Sequence, residues 1–245
     1  MEQLHLVILP GWGMEKAVFQ PFITSLSGWA SVTVVEWKKI HEESEFSKRA
    51  LDTVDLIEGP IVLLGWSLGS LVAFEYASMH PGNVKGLIIM GGTSCFTNNQ
   101  HYTGGWDPIV IQRMKRRLHK DKEGTLAAFY ESMFSATEKE FYHQFSEIVQ
   151  SEWSGDDTES LLTGLDYLLH KDMSLHLDEI SVPCLVIHGT DDLICPIYSA
   201  LFIREKCKNQ LHLSMMEETG HIPFFTKPSE CVQLLSQFIQ EEVKI

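Results

Sequence analysis

The stretch LLGWSLGSLVAF, residues 63–74, sets Ser67 between Gly65 and Gly69, with an apolar run on either side. The run before it, PIVLLG at 60–65, has the length and aliphatic content of a buried strand. The run after it, 68–79, carries apolar residues at helical spacing and stops at His80-Pro81-Gly82. A strand that turns directly into a helix holds the corner residue in strained backbone. It also brings the two elements so close that the positions two before and two after must lack bulk. Gly65 and Gly69 meet that need. The corner lies beyond the carboxyl end of a strand, where ligands of open α/β sheets gather. The first helical turn behind it offers a free N–H and a positive dipole end. This pattern is the G-x-S-x-G nucleophile elbow. The plainer alternative, an incidental serine in a glycine-rich turn, does not account for its position at a strand–helix junction.

Outward from the elbow, further short apolar runs read as strands at 4–9, 31–36, 84–91, 182–189 and, more weakly, 210–216. An amphipathic helix over 229–241 follows the last of them. Strands with little alternation, separated by helical segments, predict a parallel sheet covered on both faces. Between residues 98 and 178 the pattern changes: no convincing strand is present, and helices are predicted at 108–119, 124–134 and 138–151. The expected organisation is an α/β core of residues 1–97 and 179–245 with a helical cap of residues 98–178 inserted into it.

The 245 residues are 44% hydrophobic and 21% charged, an ordinary globular balance. A net charge of −14 argues against nonspecific binding to nucleic acid or an anionic membrane. Five scattered cysteines, none in a C-x-x-C pair, read as reduced thiols. The first residues carry no basic leader, and no apolar run approaches the roughly 20 residues of a membrane span. A cytoplasmic, monomeric protein is the expectation.

A serine hydroxyl needs a base to become a nucleophile, and the base needs a carboxylate to orient it. On a nucleophile elbow these partners follow in the order Ser, acid, His. LVIHGTDDLICP ends a strand at Gly189 and offers Asp191 and Asp192 in the next loop. EETGHIPF places His221 on a loop before the last helix, with a glycine ahead of it and an apolar run behind. His188, at a strand end, reads as structural. No H-E-x-x-H motif or Cys/His cluster is present, so neither a metal nor another cofactor is expected. The second oxyanion donor should come from the loop after the first strand, Pro10-Gly11-Trp12-Gly13. The backbone N–H groups of Trp12 and Leu68 are therefore the candidate pair, and the Trp12 indole is expected to face the pocket.

With these motifs the chain resembles the α/β-hydrolases over essentially its whole length. More narrowly it resembles the pimeloyl-acyl-carrier-protein methyl ester esterases of biotin synthesis. The residues that carry the likeness are Gly11-Trp12-Gly13, the run LGWSLGSLVAFEYASMHPGNVKGLI at 64–88 and Ser94-Cys95-Phe96. G-x-x-D-x-x-x-P from Gly189 to Pro196 and G-H-x-P-F at 220–224 complete the set. The resemblance selects Asp192 over Asp191 as the acid. It implies a carboxylesterase acting on an ester borne by an acyl-carrier protein. It also implies substrate contacts from Trp12, Ser67, Leu68, His221 and the segment Phe129, Tyr130, Glu131, Ser132 and Met133. Two positions depart from the family pattern. Pro10 replaces the usual histidine before the glycine, and Gly124 and Ala128 stand where the family sets carrier-binding arginines.

Six of the chain's 19 Lys and Arg residues fall in RMKRRLHKDK, 113–122, beside a single acid. Such a run is commonly a solvated helix face. On the cap of an acidic protein it is also a place for an acidic carrier to dock, through Arg113, Lys115, Arg116 and Arg117. The same triad would serve a general short-acyl esterase, a carbon–carbon bond hydrolase or a menaquinone-pathway lyase. The fold also includes non-catalytic ligand-binding receptors.

Overall fold

The computed structural model of the protein describes residues 3–26, 28–152, 157–208 and 210–243. The apolar runs form β1 (Leu4–Leu9), β2 (Ala30–Val34), β3 (Ile61–Trp66), β4 (Gly86–Met90), β5 (Cys184–Gly189) and β6 (Leu211–Met216). Among the described residues they make one sheet in the order β2-β1-β3-β4-β5-β6, with every neighbouring pair parallel. Strands β3, β4 and β5 are buried along their whole length, which is why their sequences, His188 near the end of β5 apart, run apolar without alternation. The edge strands β2 and β6 are half-exposed over most of their length.

Helices α1 (Gln20–Ser25), α2 (Ser44–Val54) and α3 (Leu68–Met79) lie between the early strands. The stretch between β4 and β5 carries α4 (Pro108–Lys120), α5 (Lys122–Glu131), α6 (Phe141–Glu152) and α7 (Thr158–His170). After β5 come α8 (Tyr198–Lys206), the short α9 (Pro223–Thr226) and α10 (Pro228–Glu242). Only isolated bridges, not strands, occur among the described residues between β4 and β5.

Two helix boundaries between β4 and β5 differ from the sequence reading, and both differences matter below. The helix expected over 124–134 ends at Glu131, with Ser132 capping it. The helix expected over 138–151 begins only at Phe141. Between them the Glu138 carboxylate bonds Gly220 N and Thr226 Oγ1, which holds the intervening chain in turns.

All five cysteines are buried. Burial, with a nearby Asp172, pushes the Cys95 thiol up to about 12, so it stays protonated and inert. No helix among the described residues is long and apolar enough to cross a membrane.

Because the sheet is parallel, the carboxyl ends of its strands share one edge. The register pairs Leu9 with Gly65, Trp66 with Met90 and Gly189 with Met216. The loops that follow β1, β3, β5 and β6 carry Trp12, Ser67, Asp192 and His221, and they emerge side by side at that edge.

Candidate active site

Ser67 stands at the corner between β3 and α3 with φ 54° and ψ −121°, a left-handed conformation that a non-glycine residue adopts only under constraint. The constraint is contact. A Cβ at position 69 would lie 1.9 Å from the Leu9 carbonyl oxygen, and one at position 65 would lie 2.6 Å from the Gly69 carbonyl oxygen. Ser70 N donates to Ser67 O at 2.9 Å, and Ser67 N donates to Met90 O at 3.3 Å. The elbow is thus pinned by the core.

Asp192 and His221 are brought together behind it. His221 Nδ1 lies 2.8 Å from Asp192 Oδ2, and both side chains are fully buried. The other carboxylate oxygen, Oδ1, accepts the backbone N–H groups of Ile194 and Cys195, each at 2.8 Å. A carboxylate oxygen accepts only, so Nδ1 carries the proton and Nε2 presents its lone pair. His221 Nε2 is buried and has no hydrogen-bond partner among the described residues. Asp191 lies outside the pair: it is exposed, and its carboxylate takes a bond from Thr190 Oγ1 at 3.1 Å.

His188 packs against the same carboxylate. Its Nε2 lies 2.6 Å from Cys195 O and 3.5 Å from Asp192 Oδ2. Burial lowers its pKa, opposed by the attraction of Asp192, and the side chain bonds the loop after β5.

Gly11 brings the loop after β1 against the elbow, since a Cβ there would lie 3.1 Å from Ser67 Cβ. Leu68 is the first residue of α3, so its N–H has no partner within the helix. The Trp12 indole is buried and occupied: Nε1 donates to Leu161 O at 2.8 Å, and its ring meets Phe129 edge-to-face at 5.0 Å. Gly164 of α7 leaves room for it, for a Cβ there would lie 2.6 Å from Trp12 Cδ1. The indole anticipated at the pocket is therefore anchored against α5 and α7.

The sequence pattern of the alpha/beta hydrolase fold matches residues 55–228, a span that holds Ser67, Asp192 and His221. The chain belongs to the alpha/beta hydrolase fold family. A pimeloyl-[acyl-carrier protein] methyl ester esterase of Yersinia enterocolitica is 28% identical over 242 residues, covering 96% of this chain and 93% of that one. An esterase from Exiguobacterium antarcticum superimposes with a TM-score of 0.86 at 20% identity, covering 97% of this chain and 92% of its own. A bromoperoxidase from Bacillus anthracis superimposes equally well, at 0.87 and 18% identity over 98% and 93% of the two chains. The fold alone therefore does not select the reaction.

In this alpha/beta hydrolase the segment 129–133 divides. Phe129, Tyr130 and Met133 are buried, with the Tyr130 hydroxyl 3.2 Å from Gly13 O. Glu131 is exposed, and the Ser132 hydroxyl turns back to Phe129 O at 2.6 Å. The basic run divides as well. Arg113, Arg116, Arg117 and Lys120 are exposed and lie at helical spacing on α4, next to exposed Ile109 and Val110. Lys115 is half-buried and ion-paired with Asp166 of α7, which sets it apart from that group.

Two features near the site were not singled out from the sequence. One is α7, whose Leu161, Leu162, Leu165, Leu168 and Leu169 do follow helical spacing. The other is the buried carboxylate of Glu138, which bonds the loop carrying His221. Ser135-x-x-Glu138 has the form of a capping box, and that was its one visible signal.

Proposed function

We propose that the protein is a serine carboxylesterase that hydrolyses the methyl ester of a pimeloyl group carried on an acyl-carrier protein, a step of biotin synthesis. The observation that carries the ester-hydrolase reading is the relay behind the elbow, in which Asp192 fixes the His221 tautomer and leaves Nε2 unpaired. The pimeloyl carrier ester is supported by the family relatives of that name, which match nearly the whole chain.

Ser67 Oγ attacks the ester carbonyl carbon while His221 Nε2 takes its proton. The oxygen that becomes negative is held by the N–H groups of Trp12 and Leu68, the latter at the positive end of α3. The imidazolium, stabilised by Asp192, returns the proton to the departing methoxide, and methanol leaves. Water, deprotonated by His221, then attacks the acyl-serine. The free acid and the Ser67 hydroxyl are regenerated, with no cofactor involved.

In this reading residues 98–178 act as the cap on a core of residues 1–97 and 179–245. Phe129, Tyr130 and Met133 wall the acyl chain beside Trp12, and the chain works as a cytoplasmic monomer. The exposed face of α4 formed by Arg113, Arg116 and Arg117 receives the acidic carrier. The run 113–122 holds six basic residues against one acid, and this local positive charge in an otherwise acidic chain steers encounter.

One observation favours a second reading, a general short-acyl esterase that needs no carrier. Gly124 and exposed Ala128 replace the arginines implied by the family resemblance. Turnover of the pimeloyl-carrier methyl ester, measured against short nitrophenyl esters, decides between them. A higher kcat/KM for the carrier ester supports the first, and equal or lower values support the second. Fluorophosphonate labelling that stops at Ser67→Ala checks the nucleophile. No labelling of the unmodified protein would refute both.

A further inference from the structure

Glu138 is a carboxylate with 3% of its surface exposed, in the chain between β4 and β5, and it has no place in the relay just described. Its Oε2 accepts Gly220 N at 2.7 Å and Ser135 N at 3.0 Å, and its Oε1 accepts Thr226 Oγ1 at 2.5 Å. A capping-box glutamate needs only the Ser135 bond. Glu138 also reaches two positions more than 80 residues further along the chain, on either side of His221. The same segment makes three more bonds to that loop. His221 N donates to Met133 O at 2.7 Å, and the hydroxyls of Ser135 and Thr137 each donate to Glu218 O at 2.9 Å. From the core side the loop is held by Trp66 Nε1 on His221 O, at 2.9 Å, and by Asp192 on the imidazole.

We infer that Glu138 is a positioning residue that holds the His221 loop to the cap, so that the base is in register with Ser67 only while the cap segment is docked. The inference rests on His221 being the base of an ester hydrolase. Charge-assisted bonds to backbone N–H groups are shorter and stronger than neutral ones, which suits a carboxylate to fixing a loop with no side-chain handle at Gly220. The role depends on reach: the side chain must span from the Ser135 turn to Gly220 and Thr226.

Glu138→Gln, Glu138→Asp and Glu138→Ala test it, with a nitrophenyl ester as substrate and proton NMR of the His221 Nδ1–H. Glutamine keeps an oxygen for the two N–H groups, and its amide lets the Thr226 hydroxyl turn to accept. Its kcat should stay within about tenfold of wild type. Aspartate can still serve Ser135 but falls one methylene short of Gly220. Its kcat should drop about 100-fold with KM within about twofold, the loss that follows a displacement near 1 Å. The Nδ1–H resonance should be retained in Glu138→Gln and shifted or lost in Glu138→Asp, with alanine like aspartate. If alanine does not fold, aspartate carries the decision. Aspartate at wild-type kcat with an unchanged resonance would overturn the proposal, as would glutamine failing as badly as aspartate. The resonance needs no substrate, so a wild-type protein inactive on every ester would refute the esterase reading while the NMR still decides the role of Glu138.

Discussion

Asp192→Asn is the sharpest perturbation of the proposed relay, because the structure dictates how the amide must sit. Two backbone N–H groups, from Ile194 and Cys195, converge on Oδ1 at 2.8 Å. An amide nitrogen there would oppose two donors in a fully buried place, so the carbonyl oxygen takes that position. The NH2 group then faces His221 Nδ1. To accept from it, the imidazole must move its proton to Nε2, the atom that has to receive the serine proton. The base is present, in place and in the wrong tautomer. The expected loss is about 10⁴-fold in kcat, or about 5 kcal/mol of transition-state stabilisation. The number of buried hydrogen bonds is conserved, so folding stability should change by no more than about 1 kcal/mol. Asp191→Asn is the matched control. Asp191 is exposed and outside the pair, and a surface change of this kind should alter kcat by less than about twofold. Steady-state hydrolysis of a nitrophenyl ester and thermal unfolding of both variants provide the measurements. An Asp192→Asn enzyme within tenfold of wild type, or an Asp191→Asn enzyme that is the more damaged, would refute the relay.

Three further outcomes are expected. Along a nitrophenyl series from acetate to heptanoate, kcat/KM should rise about fourfold per methylene, as burial at about 0.8 kcal/mol each implies, until the wall made by Phe129 and Met133 is reached; a flat series would deny an acyl channel. Replacing Arg113, Arg116 and Arg117 together with Ala should raise KM about tenfold for the carrier ester and leave nitrophenyl esters unchanged. The wild-type advantage should fade as added salt shortens the screening length from about 8 Å towards 3 Å, and equal KM values in both proteins would make that face of α4 merely solvated. Burial lowers the His188 pKa below its ordinary 6.5, so the unfolded chain takes up a proton that the native chain resists. The stability this gives is complete above pH 6.5 and lost as pH falls through the lowered value. The melting temperature should therefore decline on acidification, less steeply in His188→Gln, and parallel slopes would show that His188 does not titrate with folding.

Much of the fold was legible because its signals are local. Strands buried on both faces must be apolar, and 61–66, 86–90 and, up to His188 at its end, 184–189 are. The elbow was legible because close approach of strand and helix forbids a Cβ at 65 and 69, and that prohibition is written in residue type. What stayed hidden consists of contacts without a residue-type signature. The partner of the Trp12 indole is a backbone carbonyl, at Leu161, and any residue there supplies one. Glu138 is one of 33 acidic residues in an acidic chain, and nothing local separates a buried carboxylate from a solvated one. The early end of the predicted 124–134 helix and the late start of the 138–151 helix have the same origin. Propensity favoured longer helices, but bonds from Met133, Ser135 and Glu138 to the His221 loop hold the chain between them in turns.

These contacts fall into two groups. The strained Ser67 corner is held from the core through Met90 and Ser70, and Asp192 Oδ1 by the N–H groups of Ile194 and Cys195. The loops carrying Trp12 and His221 are held in part by the chain between β4 and β5: Trp12 by Leu161 O, Gly13 O by the Tyr130 hydroxyl, His221 N by Met133 O and Gly220 N by Glu138. Residues 129–138 thus carry both the proposed acyl wall and the anchor of the base. In the proposed mechanism an acyl chain seated against Phe129 and Met133 presses on the segment that bonds the His221 loop, while displacing that segment would loosen the proposed base and oxyanion donor and leave Ser67 where it was. Binding energy from the chain can in this way be spent on orienting the catalytic groups rather than on tighter binding alone. That ties the length dependence of turnover to kcat as well as to KM, a split that a rigid site with a merely greasy pocket would not produce.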